Sequence, residues 1–256
     1  MSYFQMLLII CPVFFVGGVI DSIGGGGGLI ALPTYLMLGI PVRTAYGCNK
    51  LQAGLGNLVS AIKYFKNHMV DLKIAMISAI TALVGAYFGT KIIFLLPEET
   101  IQKAITIALP VVALIMVLRK SSAGNTIMKS EISKKTVIQA LIVGIIMGFY
   151  NSLFGPGIGT IAIIAFSMLM HYDARVASGN GKVLIVLTNA LALVSYIRTG
   201  NIDFAVAIPA AAFNIIGNLV GVNFAIKKGE KIIKPVMLVV VILTVIKFAW
   251  DNNLWG

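Results

Sequence analysis

Ile23-Gly24-Gly25-Gly26-Gly27-Gly28-Leu29 places five consecutive glycines directly behind an apolar run, and Phe154-Gly155-Pro156-Gly157-Ile158-Gly159 sets three glycines and a proline at the matching place 130 positions later. Relative to alanine, glycine costs about 1 kcal/mol per helical position and proline about 3. A continuous helix through either stretch is therefore disfavoured. Close helix packing through small residues is one explanation for such glycines. Two helices broken at matching places is the better one, because the interruption recurs.

The surrounding composition decides where these breaks lie. Of 256 residues, 59% are hydrophobic and 11% charged, with a mean hydropathy of +0.97. A soluble domain is about 25% charged, so the chain reads as an all-α polytopic membrane protein. Disordered, collagen-like and disulfide-stapled classes are excluded by the same figures. In hydrocarbon every backbone polar group needs a partner, so a break at membrane depth belongs inside protein or beside a water-filled cavity. The two cysteines, Cys11 in an apolar run and Cys48 in a polar stretch read as a loop, form no CxxC pair and suggest neither disulfide nor metal site. The net charge of +11 does not point to nucleic acid, because the basic residues fall mostly between apolar runs and orient the chain in the bilayer. No basic residue precedes the first run, which is read as a membrane segment and not a cleaved signal peptide.

Ten apolar segments are predicted, at about 3–20, 28–40, 51–65, 73–96, 101–118, 137–154, 158–170, 183–197, 204–226 and 232–250. A full crossing takes about 20 residues; 28–40, 51–65, 158–170 and 183–197 fall short, at matching places in the two halves. A shift of 132 superposes Arg43, Ala45, Gly47 and Lys50 on Arg175, Ala177, Gly179 and Lys182. The same shift pairs Asn57 with Asn189, Tyr64 with Tyr196, Asp71 with Asp203, Gly85 with Gly217 and Gly89 with Gly221. Upstream, a shift of 130 pairs Gly18, Ser22, Gly25 and Gly27 with Gly148, Ser152, Gly155 and Gly157. Matches in Arg, Lys, Asn, Tyr and Asp in one frame mark an internal repeat. The expected organisation is a first repeat over 1–120, a cytoplasmic linker over 121–136 and a second repeat over 137–256. With both termini outside, Lys63, Lys66, Lys73, Arg175, Lys182, the linker cations and the lysines near 227–234 lie inside, fourteen of the twenty basic residues. Five segments per half then make the repeats inverted in topology.

A second matched pair is Ala45-Tyr46-Gly47-Cys48-Asn49-Lys50 and Ala177-Ser178-Gly179-Asn180-Gly181-Lys182. Each sets a small or polar stretch before a lysine that is expected to open the next helix, where free N–H groups and the dipole attract anions. Lys50 and Lys182 as plain interfacial anchors remain the alternative, and Arg43 and Arg175 are read as loop charges. Gly-Asn-Gly-Lys is not a phosphate loop, since the G-x-x-x-x-G-K-[ST] spacing is missing. Asp21 is the one carboxylate adjoining a glycine break, and its match is Asn151; it either marks an ion or proton path or caps the end of the first segment. Asn57 and Asn189 either line a cavity or bond across helices. His68 and His171 are placed in loops, and Tyr64 and Tyr196 at membrane interfaces.

A glycine-rich stretch after the first segment, then A-x-G-x-N-K, then the arrangement again in the second half, resembles the TauE/SafE family of sulfite exporters, also called TSUP, from about Val16 to Lys247. Cys48 and Asn180 stand where that family often has a hydroxyl residue, and Gly155-Pro156-Gly157 replaces its usual glycine triplet. The resemblance implies a bacterial-type inner-membrane secondary transporter for sulfite, sulfoacetate or another organosulfonate, driven by an ion gradient. Combined with the residue reading, it places a small anion among Gly25, Gly26, Gly27, Cys48, Asn49, Lys50, Gly155, Gly157, Asn180, Gly181 and Lys182, with Asp21 as the coupling group and Asn57 and Asn189 lining the path. The expected partners are that anion and the bilayer, with homodimerisation open and no cofactor required. An enzyme is disfavoured: no H-E-x-x-H or G-x-S-G site is present and both histidines lie outside the apolar runs. A passive anion channel is the alternative.

Overall fold

The computed structural model of the chain describes residues 3–101, 103, 133–229, 231, 232 and 235. The segments expected at 101–118 and 232–250, and most of the 121–136 linker, lie outside these residues. The described elements are all helical: α1 (Tyr3–Gly24), α2 (Gly27–Met37), α3 (Val42–Lys66), α4 (Leu72–Leu95), α5 (Lys134–Leu153), α6 (Ile158–Met170), α7 (Ala174–Arg198) and α8 (Phe204–Lys228). Helices α1, α4, α5, α7 and α8 are long and apolar enough to cross a membrane. Helix α3 has the length but carries Asn49, Lys50, Gln52 and Asn57, all buried against other helices.

Two boundaries correct the sequence reading. α3 begins at Val42 and not near 51, and α7 begins at Ala174 and not near 183. Apolarity was the wrong guide here, because the polar stretches are helical and face protein: Lys50 and Lys182 are each 1% exposed. Cys48, expected in a loop, is likewise buried in α3. Tyr64 and Tyr196 are also inside, and the Tyr64 hydroxyl donates to the Ser22 carbonyl at 3.1 Å. His68 and His171 do fall between helices, both with positive φ.

Glycines set the helix packing. Gly18 lies on the backbone of Asn214 and Asn218, and Gly217 and Gly221 lie on that of Phe15 and Val19, so α1 and α8 run side by side in the same direction. Gly144 and Gly148 lie on Ser78 and Ala82, and Gly85 and Gly89 on Ile145 and Phe149, so α4 and α5 are also parallel. Without side chains at these positions the backbones approach closely. Ser60 donates to Asn218 Oδ1 at 2.8 Å and Lys63 to Asn223 Oδ1 at 2.8 Å, which makes α3 parallel to α8. Tight connections at 67–71 and 199–203 turn α4 back from α3 and α8 back from α7. Helices α1, α3 and α8 therefore run one way, and α4, α5 and α7 the other.

These contacts exchange when the halves are exchanged. Gly85 on Ile145 and Phe149 corresponds to Gly217 on Phe15 and Val19; Gly18 on Asn214 corresponds to Gly148 on Ala82; Gly47 on Asn201 corresponds to Gly179 on Met69. Each pair differs by the same 130 or 132 positions that relate the sequences.

Candidate functional site

The site forms where the two helix breaks meet. α1 ends at Gly24, Gly25 takes φ +77°, and α2 starts at Gly27. Phe14 packs on Tyr35 with ring centroids 4.8 Å apart, and Gly27 sits over Gly17, so α2 folds back along α1 as a re-entrant arm. The second break has Gly155 at φ +82° and Gly157 at +78° before α6. Backbone conformations of this kind favour glycine. Gly25 and Gly159 touch so closely that a Cβ on either would strike the other's backbone. The Thr160 hydroxyl donates to the Gly24 carbonyl at 2.5 Å, satisfying one group that the end of α1 leaves open.

A small polar pocket opens between these breaks and the middles of α3 and α7. Asp21, Gly25, Asn49, Asn57, Gly155, Gly157 and Asn189 line it, so seven positions singled out from the sequence come together. Gly28, Ala53, Asn151, Ile158 and Ile185 complete the wall. Asn151 was visible in sequence only as the match of Asp21. Its Nδ2 donates to Thr188 Oγ1 at 2.6 Å and to Asn189 Oδ1 at 3.0 Å, tying α5 to α7 beside the cavity. Asn49 and Asn57, 5% and 2% exposed, each keep a side-chain oxygen without a hydrogen-bond partner. Such groups are costly unless something else satisfies them.

The first turns of α2, at Gly28, and of α6, at Ile158, border the same space, with the Gly27 N–H taken by Asp21 Oδ1 and the Ile158 N–H by the Gly155 carbonyl. The opening N–H groups of a helix lack intrahelical partners and carry the positive end of the dipole. The helix starts expected at Lys50 and Lys182 are not there: both lysines sit in the third turn of their helices, where the backbone N–H groups are already bonded along the helix.

Each lysine instead reaches into the opposite half. Lys182 Nζ donates to the Asp21 carbonyl at 2.6 Å and lies 3.3 Å from Asp21 Oδ2. Lys50 Nζ donates to the Asn151 carbonyl and to Asn151 Oδ1 at 3.4 Å. The two contacts are equivalent under exchange of the halves. Each supplies a donor to the carbonyl end of a helix that stops in the protein interior. Asp21 also accepts from the Gly27 N–H at 3.3 Å, so it closes the α1–α2 turn.

The remaining sequence-derived positions lie around the cavity without lining it. Gly26 and Gly27 form the turn itself. The Cys48 thiol donates to the Asp203 carbonyl at 3.6 Å, and Asn180 Oδ1 accepts from the Asp71 N–H at 2.9 Å, another exchanged pair that joins helix starts of the two halves. Gly181 gives room to Ala162. Arg43 donates to the Leu96 carbonyl at 2.7 Å, and Arg175 pairs with Asp173 at 2.9 Å, both near helix ends. Among the described residues no group of histidine, cysteine or acidic side chains is arranged to hold a metal.

The chain matches a family model described as sulfite exporter TauE/SafE over residues 10–248. It is 29% identical to a probable membrane transporter protein, ORF9, of Sinorhizobium sp, covering 97% of this chain and 94% of the relative. It is 28% identical to a probable membrane transporter protein of Haemophilus influenzae, over 97% and 96% of the two chains. The probable membrane transporter protein YfcA of Escherichia coli K12 is 26% identical, over 99% and 96%. No solved structure matches the chain.

Proposed function

The chain belongs to the sulfite exporter TauE/SafE family of multi-pass membrane transporters, and on that premise we propose that it is a proton-coupled secondary transporter of a small sulfur-containing anion, sulfite or a compact organosulfonate. The observation that carries this reading is the polar pocket bordered by the first turns of two helices from different halves and by the carboxamides Asn49, Asn57, Asn151 and Asn189. Converging helix N-termini offer N–H donors and positive potential to an oxyanion. Carboxamides present both donors and acceptors and turn to suit the bound group. The tight space favours a compact anion over a long-chain one.

The proposed mechanism is alternating access between inverted repeats. Supporting it, repeat partners α1 and α5, α3 and α7, and α4 and α8 run in opposite senses, and their contacts exchange in pairs. Charge supports an orientation with the ends bearing Lys63, Lys66, Lys73, Lys134, Lys135, Arg175, Lys227 and Lys228 in the cytoplasm of a bacterial-type inner membrane. The opposite ends carry fewer cations, Arg43, Lys91 and Arg198 among them.

The test is uptake into proteoliposomes of sulfite, thiosulfate, sulfoacetate, taurine and sulfate, with and without an imposed proton gradient. Accumulation of at least one sulfur oxyanion above its outside concentration is expected. Flux that only runs downhill would instead make the protein a passive channel, and binding of none of the panel would end the anion reading.

A further inference from the structure

The two buried lysines have equivalent positions but unequal surroundings. Lys182 has a full counter-charge, the Asp21 carboxylate at 3.3 Å, together with the Asp21 carbonyl. Lys50 has the same carbonyl contact at Asn151, but the side chain there is a neutral amide. Among the described residues no acidic group forms an ion pair with Lys50, which is 1% exposed. An ammonium has three N–H donors, and the structure offers Lys50 two acceptors, both on Asn151. A neutral amine would use its two N–H groups fully in that setting. The charged form has one donor and one unit of charge left over in a low-dielectric interior, where an unpaired ion is very costly.

Lys50 lies beside the cavity without lining it. Asn49 and Asn151 are lining residues on either side of Lys50, and a Cβ at the lining residue Gly155 would stand 3.6 Å from Lys50 Nζ. Glycine therefore leaves the space between the ammonium and the cavity open. The other titratable groups around the site are Tyr46 and Cys48 on its own helix, which donate to the Leu153 and Asp203 carbonyls, Tyr150 on α5, which donates to the Pro156 carbonyl, and Asp21, which ion-pairs with Lys182 and accepts from the Gly27 N–H through Oδ1 while its Oδ2 has no hydrogen bond.

We propose that Lys50, and not Asp21, carries the proton that accompanies the anion. Proton and anion enter together: the amine takes up the proton to become ammonium, the anion supplies the missing counter-charge and accepts the third N–H, and both leave before the empty site reorients with a neutral Lys50. One proton thus moves with one negative charge, and neither charge is buried alone. This inference rests on the anion-transport reading above and assigns its coupling residue.

The experiment measures binding of methanesulfonate, whose charge does not change over the range, to purified protein at a series of pH values, alongside proton-gradient-driven sulfite uptake in proteoliposomes. For the wild type, affinity is expected to fall by up to tenfold per pH unit above the point at which Lys50 titrates. Lys50→Arg, which stays charged, is expected to lose the pH dependence of whatever binding it retains and to lose gradient-driven uptake. Asn151→Asp gives Lys50 the counter-charge that Lys182 has, and is expected to lower affinity at least tenfold with the pH dependence abolished. Two variants of different chemistry guard against a misfolded one. A wild-type pH profile and full proton-driven uptake in Lys50→Arg would overturn the assignment while leaving anion transport intact. Failure of the wild type to bind either anion would instead overturn the transport reading itself.

Discussion

Replacing Lys182 with methionine keeps most of the side-chain volume and removes the charge. Asp21, 8% exposed, then loses an ammonium 3.3 Å away, and its backbone carbonyl loses a donor 2.6 Å away. Breaking a buried pair by removing one partner costs about 3–5 kcal/mol, because a charge is left uncompensated. At roughly 2–4 °C per kcal/mol for a chain of this size, the melting temperature should fall by about 6–20 °C. Asp21→Asn should behave differently. It leaves Lys182 beside a carbonyl and a neutral amide, which is the arrangement the fold already holds at Lys50 and Asn151. Its shift should be well below that of Lys182→Met, and the double variant should recover much of the lost stability because no lone carboxylate remains. Thermal unfolding of the four proteins in detergent, followed by fluorescence-detected size exclusion, gives the full cycle. A double variant no more stable than Lys182→Met would show that the carboxylate is not the source of the cost, and the electrostatic account of this contact would fail.

Gly25→Ala should yield little folded protein, since its Cβ would strike Gly159 at a φ of +77°, whereas Gly17→Ala, with nothing near the added Cβ, should give a normal monodisperse peak. Asn57→Leu fills the cavity and removes an unpartnered oxygen; methanesulfonate binding should drop at least tenfold with the melting temperature nearly unchanged. Tyr172→Phe removes a hydroxyl that donates to Asp71 Oδ2 at 2.5 Å between the connections of the two halves. A loss of about 1.5–3 kcal/mol is expected for a buried bond to a charged acceptor, measured as a lowered melting temperature.

The helix breaks and the pairing of halves were legible because their signals are local and discrete: glycine runs interrupt helices, and the matching Arg, Lys, Asn, Tyr and Asp residues share one frame. The extents of α3 and α7 were not, because hydropathy cannot separate a polar segment in water from one facing other helices. Cys48 and Asn49 are helical and inside, yet read in sequence as a connection. The same blindness misdirected the lysines. Their identity and symmetry were visible, but that each crosses to cap the other half's interrupted helix depends on tertiary geometry. Tyr64 and Tyr196 failed for a related reason, since an aromatic near a segment end serves an interface or a core equally well. Asn151 shows the reverse: aligned with a carboxylate it looked like a departure, and in the structure it is a hub.

Under the alternating-access proposal, two halves with identical side chains exchanged by a two-fold rotation would give inward-open and outward-open forms of equal energy, a rocker with no resting side. Here the likeness fails at particular pairs. A carboxylate at 21 answers an amide at 151, and a tyrosine at 172, bonded to Asp71, answers an isoleucine at 40. The connections at one end of the bundle are thereby joined by a bond that their counterparts at the other end cannot form. In the proposed cycle, such small inequalities between otherwise duplicate parts would set a preferred starting point.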